Sequence, residues 1–359
     1  MLDRISLNFY GESHADRVGV KAQGLEGLRF DMRTLEKTMA RRRSGVFGTT
    51  ARRERDDVIF ASGVHIDGDI ASIVGDIDAY VENHDVKRID NASVARPSHA
   101  DLVAYERYGY IPSGGGRFSG RMTAPMCIVG GIAKSVLNDM GIEICAYLSN
   151  IGGVECGSYR EGDASVHALD SETVSRIENM PVPVLDEKRL DDVMLEIEKA
   201  QSQGDSVGGV VECVVGGVKT AMLGDALFDG LEGKIAYCVY AVPGVKGVEF
   251  GDGFRLSKMR GSEANDRWNI ENGNVFTDTN RSGGINGGIS NGMPITLRAA
   301  IRPTPSIAKE QTSVNLKTGE RANIASTGRN DACIAIRACA CIESAVAIAL
   351  LDEWLKLHN

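Results

Sequence analysis

At 359 residues, with 43% hydrophobic and 25% charged positions, the chain holds enough apolar material for a large core and reads as a soluble globular protein. A formal net charge of −9 argues against a general nucleic-acid binder, and no run of about 18 apolar residues is present to cross a membrane. Eight cysteines without a C-x-x-C pair, several inside apolar runs, fit a reducing cytoplasm, and the N-terminus lacks the basic-then-apolar layout of a signal peptide.

In chain order, a short apolar opening (Ile5, Leu7, Phe9, Tyr10) leads into GESHADRVGV at residues 11–20, where Ser13 and His14 stand side by side. This stretch alone leaves His14 open between a nucleophile's base, a metal ligand, a proton donor and a polar strand-end residue. Apolar positions at Met32, Leu35 and Met39, with Asp31 as N-cap, predict a helix across Phe30–Arg43. Arg41, Arg42, Arg43, Arg52, Arg53 and Arg55 then crowd together, as a solvated basic surface or as a site for a small anion. Val58–Ala61 and Ser72–Val74 read as short strands, Ala100–Tyr108 and Ser119–Met140 as helices, and Ile142–Leu148 as a strand.

Two of these helices carry chemistry at their starts. RPSHADLVAYERYG (residues 96–109) places His99 at a helix entrance, with Pro97 extending the approach, Ser98 placed to cap and Asp101 close by. GGGRFSGRMTAPMC (residues 114–127) sets a glycine turn and Arg117, Ser119 and Arg121 before a long helix, a sound arrangement for phosphate or carboxylate. Asp170–Asn179 and Asp186–Gln203 are expected to be amphipathic helices. Val207–Val215, Lys234–Tyr240 and Ile295–Ile301 read as strands, and Cys339–Leu357 as a closing helix. RPTPSI (residues 302–307) fixes hydroxyls and an arginine on a rigid course, and GRNDAC (residues 328–333) puts Arg329 and Asp331 before the last helix.

Several chemistries are disfavoured. There is no H-E-x-x-H and no Cys/His pair at ligand spacing, so no metal site is expected. No G-x-S-x-G elbow occurs, and the adjacent side chains of Ser13 and His14 would point apart, against a hydrolase. The glycine clusters at 114–116, 208–209 and 283–292 fit neither a P-loop nor a dinucleotide fingerprint. Strands and helices are mixed in α/β or α+β fashion without repeats or a clear linker, which predicts one intertwined domain over residues 1–359.

GESHADRVG, RRRSG, RPSHADLVAYERYG, GGGRFSGRMTA, DSVGGVVECVV, GVKGVEFGDGF, GSEANDRW, SGGINGGISNG, RPTPSI and GRNDACIAIRA occur in the order expected of chorismate synthases. The sequence resembles that family from about residue 6 to residue 356. The resemblance implies an α+β fold, a β-α-β sandwich with helices around central sheets, assembled as a homotetramer in the cytoplasm. It implies elimination of phosphate from 5-enolpyruvylshikimate 3-phosphate, a 1,4-anti elimination giving chorismate, with reduced FMN as cofactor. Bifunctional members reduce the flavin themselves with NADPH; no added reductase domain is evident, so an external flavin reductase is the expected partner, with neither nucleic acid nor membrane. The rival readings are another FMN-dependent enzyme and an anion-binding protein of the same descent.

By that resemblance His14 keeps the flavin protonated, His99 assists the departing phosphate, and Asp331 works with the flavin to remove the ring proton. Ser13, Arg42 and Arg121 match substrate contacts. Arg117, Phe118, Ser119, Pro243, Gly244, Gly287, Arg302, Pro303, Thr304, Pro305, Ser306 and Arg329 match the FMN contacts, Arg329 also serving as a phosphate clamp. The chain departs from the pattern at Ala15 and Ser98, where the family keeps glycine, and at Met122, Asn330 and Ala332.

Overall fold

The computed structural model describes residues 2–45, 47–49, 55–83, 92–160, 167–326 and 330–358. The N-terminal part builds one antiparallel sheet from β1 (Ser6–Gly11), β2 (Arg17–Gln23), β3 (Arg29–Asp31), β4 (Ile59–Asp67) and β5 (Ile70–Glu82). Strand β5 is its spine: β2 and β3 pair along one edge, β1 lies outside β2, and β4 runs along the other edge. Alternation along β2 buries Val18, Val20 and Ala22 and leaves Arg17, Lys21 and Gln23 exposed, so one face is fixed as core.

A second antiparallel sheet contains β6 (Glu143–Ile151), β7 (Val154–Glu155), β8 (Gly209–Gly216) and β9 (Val245–Phe250). Two hairpins follow, β10 (Trp268–Glu271) with β11 (Asn274–Thr277) and β12 (Ile285–Asn286) with β13 (Ile289–Ser290), before β14 (Ile295–Ile301) completes the order β7-β6-β8-β14-β9. A last hairpin pairs β15 (Gln311–Asn315) with β16 (Glu320–Ile324).

The helices are α1 (Met32–Arg42), α2 (Asp101–Tyr108), α3 (Thr123–Asp139), α4 (Ser171–Asn179), α5 (Leu190–Ser202), α6 (Leu231–Tyr240), α7 (Gly261–Ala264) and α8 (Ala335–His358). Helix α3 packs on the first sheet, α8 on the second, and the two pack on each other with α1 and α6 alongside. Where they cross, a Cβ on Gly130 would lie 2.1 Å from Ser344 Cβ, so only glycine allows this approach. Helix α4 covers the outer face of β6 over a small second core of Cys145, Tyr147, Tyr159, Val174, Ile177 and Val214. The expected α+β sandwich is therefore present.

Helix α8 is buried around most of its circumference, and its acids are all engaged. Glu343 accepts hydrogen bonds from Arg41 Nη1 at 2.5 Å, Lys134 Nζ at 2.8 Å and the Ala146 backbone N–H at 2.7 Å. Asp352 accepts the backbone N–H groups of Asp3, Arg4 and Ile5 at 2.8, 2.8 and 2.7 Å, tying the start of the chain to its last helix. Lys234 pairs with Glu353.

Three local expectations are corrected. Lys234–Tyr240 is helix, not strand: Leu231, Ile235, Cys238 and Val239 are buried at helical spacing, which a strand would split between two faces. Ser98 does not cap α2, whose N-cap is Ala100 without a side-chain bond; Ser98 is instead left-handed, with φ +55°. The predicted Ser119–Met140 helix starts only at Thr123, because Ser119 accepts the Arg121 N–H and holds a tight turn at Gly120–Met122 first. Asp31 caps α1 as expected.

Candidate active site

The three consecutive glycines are where the motifs meet. Gly114, Gly115 and Gly116 take φ values of +58°, +94° and +52°, a path only glycine follows without strain. The loop presses backbone against both histidines. A Cβ on Gly114 would sit 2.2 Å from His14 Nε2, and one on Gly115 would sit 3.1 Å from His99 Cε1. The Ser13 N–H donates to Gly116 O at 3.2 Å, pinning the GESH segment to the same loop. His14 is 9% exposed, and its Nδ1 is a buried polar atom without a partner among the described residues.

His99 is oriented from behind. Its Nδ1 lies 2.7 Å from Asp101 Oδ1, leaving Nε2 toward the glycine loop. Asp101 is buried and also accepts Arg96 Nε at 2.7 Å, Arg96 Nη2 at 2.8 Å and the Arg96 N–H at 2.9 Å. Burial alone would raise this carboxyl, but the bonds from Arg96 and His99 outweigh it and hold Asp101 well below the usual carboxylate range. Arg96 Nη1 reaches Ser306 Oγ at 3.4 Å, joining the His99 motif to RPTPSI.

RPTPSI is also joined to the Asp331 segment. Ser206 Oγ donates to Thr304 O at 2.7 Å, and the neighbouring Val207 N–H donates to Ala332 O at 2.9 Å. The Arg302 N–H donates to Gly244 O at 3.0 Å, so Gly244 and exposed Pro243 adjoin this strip. Thr304 Oγ1 is buried and without a partner among the described residues. Arg117 and Phe118 are exposed on the glycine loop, the Phe118 ring lying 6.4 Å from that of Tyr108. Gly287 stands apart, in open space at the β12–β13 turn beside the start of α6. Arg329 lies outside the described residues.

Arg42 and Arg121 are drawn together by a residue that sequence reading passed over. Both bind the carboxylate of Asp56, one on each oxygen. Arg42 is 1% exposed and Arg121 6%, and Asp56 is buried with φ +51°. Burial would raise Asp56, but the two guanidiniums keep it lowered. Arg42 Nε also donates to Thr123 Oγ1 at 3.1 Å, and Arg121 Nε to Asn83 Oδ1 at 2.6 Å. Asn83 Nδ2 in turn donates to Ala15 O at 2.5 Å, next to His14. On the other side Arg337 Nε donates to Arg42 O at 2.9 Å and its Nη1 pairs with Asp331 at 3.0 Å. Hydrogen bonds thus run from Asp331 through Arg337, Arg42, Asp56, Arg121 and Asn83 to Ala15. The arrangement links two buried guanidiniums and a carboxylate through hydrogen bonds to the backbone beside His14, with the carboxylate-backed imidazole of His99 on the same glycine loop as His14.

The chorismate synthase family model matches residues 5–355. A chorismate synthase of Lancefieldella parvula is 37% identical over 369 residues, covering 99% of this chain and 96% of the relative. One from Aeropyrum pernix is 40% identical over 367 residues, covering 98% and 93%. A crystal structure of chorismate synthase superposes with a TM-score of 0.76 at 22% identity, covering 99% of this chain and 93% of that one.

Proposed function

The chain belongs to the chorismate synthase family, and on that premise we propose how its residues carry the reaction. It is a carbon–oxygen lyase of the shikimate pathway, eliminating phosphate from 5-enolpyruvylshikimate 3-phosphate to give chorismate. The observation that carries the reading of the site is the contact of His14 and His99 with consecutive glycines of one loop.

In this reading the substrate phosphate lies near His99. The C–O bond breaks with its electron pair leaving on phosphate, and His99 Nε2 donates a proton to the phosphate oxygen. Asp101 fixes the tautomer through Nδ1 and stabilises the imidazolium before transfer. The ring C–H proton passes to the Asp331 carboxylate, which Arg337 keeps in place. Arg42 and Arg121, set by Asp56, and Ser13 orient the anionic substrate.

The residues present fit a flavin: left-handed glycines leave no side chain over the loop, while His14 Nδ1 and Thr304 Oγ1 are buried polar atoms awaiting a partner. We assign the FMN to Arg117–Ser119, Pro243–Gly244, Arg302–Ser306 and Arg329, with His14 holding a proton against it; Gly287, which stands apart, is left out of this site. Held there in reduced form, FMN would supply electron density to the allylic system. Its reduction is assigned to an external flavin reductase. A single cytoplasmic domain in a homotetramer completes the proposal; the exposed Leu227, Phe228, Phe254, Trp268 and Ile270 are the surface such an assembly would cover.

Anaerobic incubation with reduced FMN and substrate, following phosphate release and chorismate absorbance, tests the assignment; a folded, flavin-saturated protein that forms no product overturns it. His99→Ala and Asp331→Ala are each expected to cut turnover by at least ~10²-fold with the fold retained. Near-normal turnover in either variant refutes the role given to that residue.

A further inference from the structure

Away from the histidines, the second sheet carries a polar cavity of about 220 Å³ lined by Arg160, Asp252, Arg255, Thr279, Asn280, Arg281 and Thr296. None of these residues is assigned to substrate or cofactor above. Thr296 and Arg302 are six residues apart along β14 and its end, roughly 20 Å at 3.3 Å per residue. Thr296 and Arg298 alternate with core-facing Leu297, so both lie on the sheet face turned away from α8.

The walls of this cavity carry more donors than the protein satisfies. Arg160 Nε, Arg281 Nε and Thr296 Oγ1 are all buried without a hydrogen-bond partner among the described residues, and Thr296 is 1% exposed. A buried donor left unpaired is destabilising, more so when it belongs to a charged group. The carboxylates of Asp252 and Glu249 are already engaged, while Glu212 Oε2 has no partner among the described residues. Asp252 binds Arg160 Nη2 through Oδ1 and Arg281 Nη1 through Oδ2, each at 3.0 Å, with Arg255 Nη1 at 3.8 Å. Glu249 binds Arg160 Nη1 at 3.2 Å and also Arg298. Four guanidiniums therefore meet two carboxylates here. A third acid, Glu212, sits beneath them on β8, and burial pushes its carboxyl upward, toward the uncharged form.

From these walls we infer that the cavity binds a small oxyanion, a phosphate or a carboxylate, held by Arg160 Nε, Arg281 Nε and Thr296 Oγ1. Its size excludes a nucleotide or other drug-sized ligand, which needs at least roughly 300 Å³. It exceeds a single water, whose share is roughly 30 Å³. Donors without acceptors, two of them cationic, select an anion over a neutral guest.

The test uses the intact protein and inorganic phosphate, with acetate as the carboxylate probe and chloride at equal ionic strength as control. Thermal denaturation and titration calorimetry are run on the unmodified chain, on Arg281→Gln, on the near-isosteric Thr296→Val and on His99→Ala. The expected result is a saturable rise in melting temperature that His99→Ala keeps. Arg281→Gln should weaken it at least tenfold and Thr296→Val several-fold. A response to phosphate alone identifies a phosphate site; one of similar strength to acetate identifies a general oxyanion site. If neither anion exceeds chloride, or if Thr296→Val and Arg281→Gln respond like the unmodified chain, the cavity holds water and the inference fails.

Discussion

At Ser98 the backbone turns left-handed, with φ +55°, directly before His99. A side chain there costs roughly 1–2 kcal/mol relative to an ordinary helical conformation, and glycine removes most of that cost. Ser98→Gly is therefore expected to raise stability by about 0.5–1 kcal/mol, after the larger entropy that glycine loses on folding, while the β-branched Ser98→Val lowers it. Urea midpoints for the two variants check both signs. His14 and His99 were legible in the sequence because each lies inside a short motif that carries its own context. Asp56 was not: its partners Arg42 and Arg121 are 14 and 65 residues away, and in the sequence it is one acid in a charged run. The Asn83 bridge to Ala15 spans 68 residues and was hidden for the same reason. Ala15 keeps its carbonyl in that bridge, so the departure from glycine leaves the backbone link intact.

Among the elements, α1 could be read from its cap and apolar spacing, since both signals are local. Helix α6 could not: Ile235, Val239 and the aromatic residues around them suit a strand by propensity, and only packing on α8 reveals which spacing prevails. The first sheet was read only in fragments because β5 runs 13 residues, with Gly75 and Asp76 interrupting its apolar pattern. The contact of α3 with α8 is the element-scale feature most exposed to substitution. Gly130→Ala places a methyl 2.1 Å from Ser344 Cβ and 2.5 Å from its Cα, so the helices must separate. A loss of about 1–3 kcal/mol follows from such overpacking, read as a lower denaturation midpoint. Trimming Ser344 to glycine removes only the side-chain part of that clash and is not expected to restore full stability.

For the whole molecule, the buried ion cluster around α8 sets the response to acid. Burial alone would raise Glu178, but Lys134, Lys37 and Arg41 bring it down to about 2, and Arg41 with Lys134 likewise lowers Glu343. A carboxyl depressed in the folded state adds stability that is complete above its unfolded value of about 4.3 and is lost as pH falls toward the folded value. Stability is thus expected to be level with respect to these groups above about pH 5 and to fall steeply between about pH 4 and pH 2. Circular dichroism across that range reads it. Glu343→Gln leaves Arg41 and Lys134 with Glu178 and a neutral amide and should cost about 1–3 kcal/mol at neutral pH. The grip of Asp352 on Asp3, Arg4 and Ile5 bears on the order of events during synthesis. A ribosome makes β1 well before α8, so the strand leading to His14 emerges long before the carboxylate that anchors the residues preceding it. The His14 segment can acquire its final anchoring only after α8 has been made.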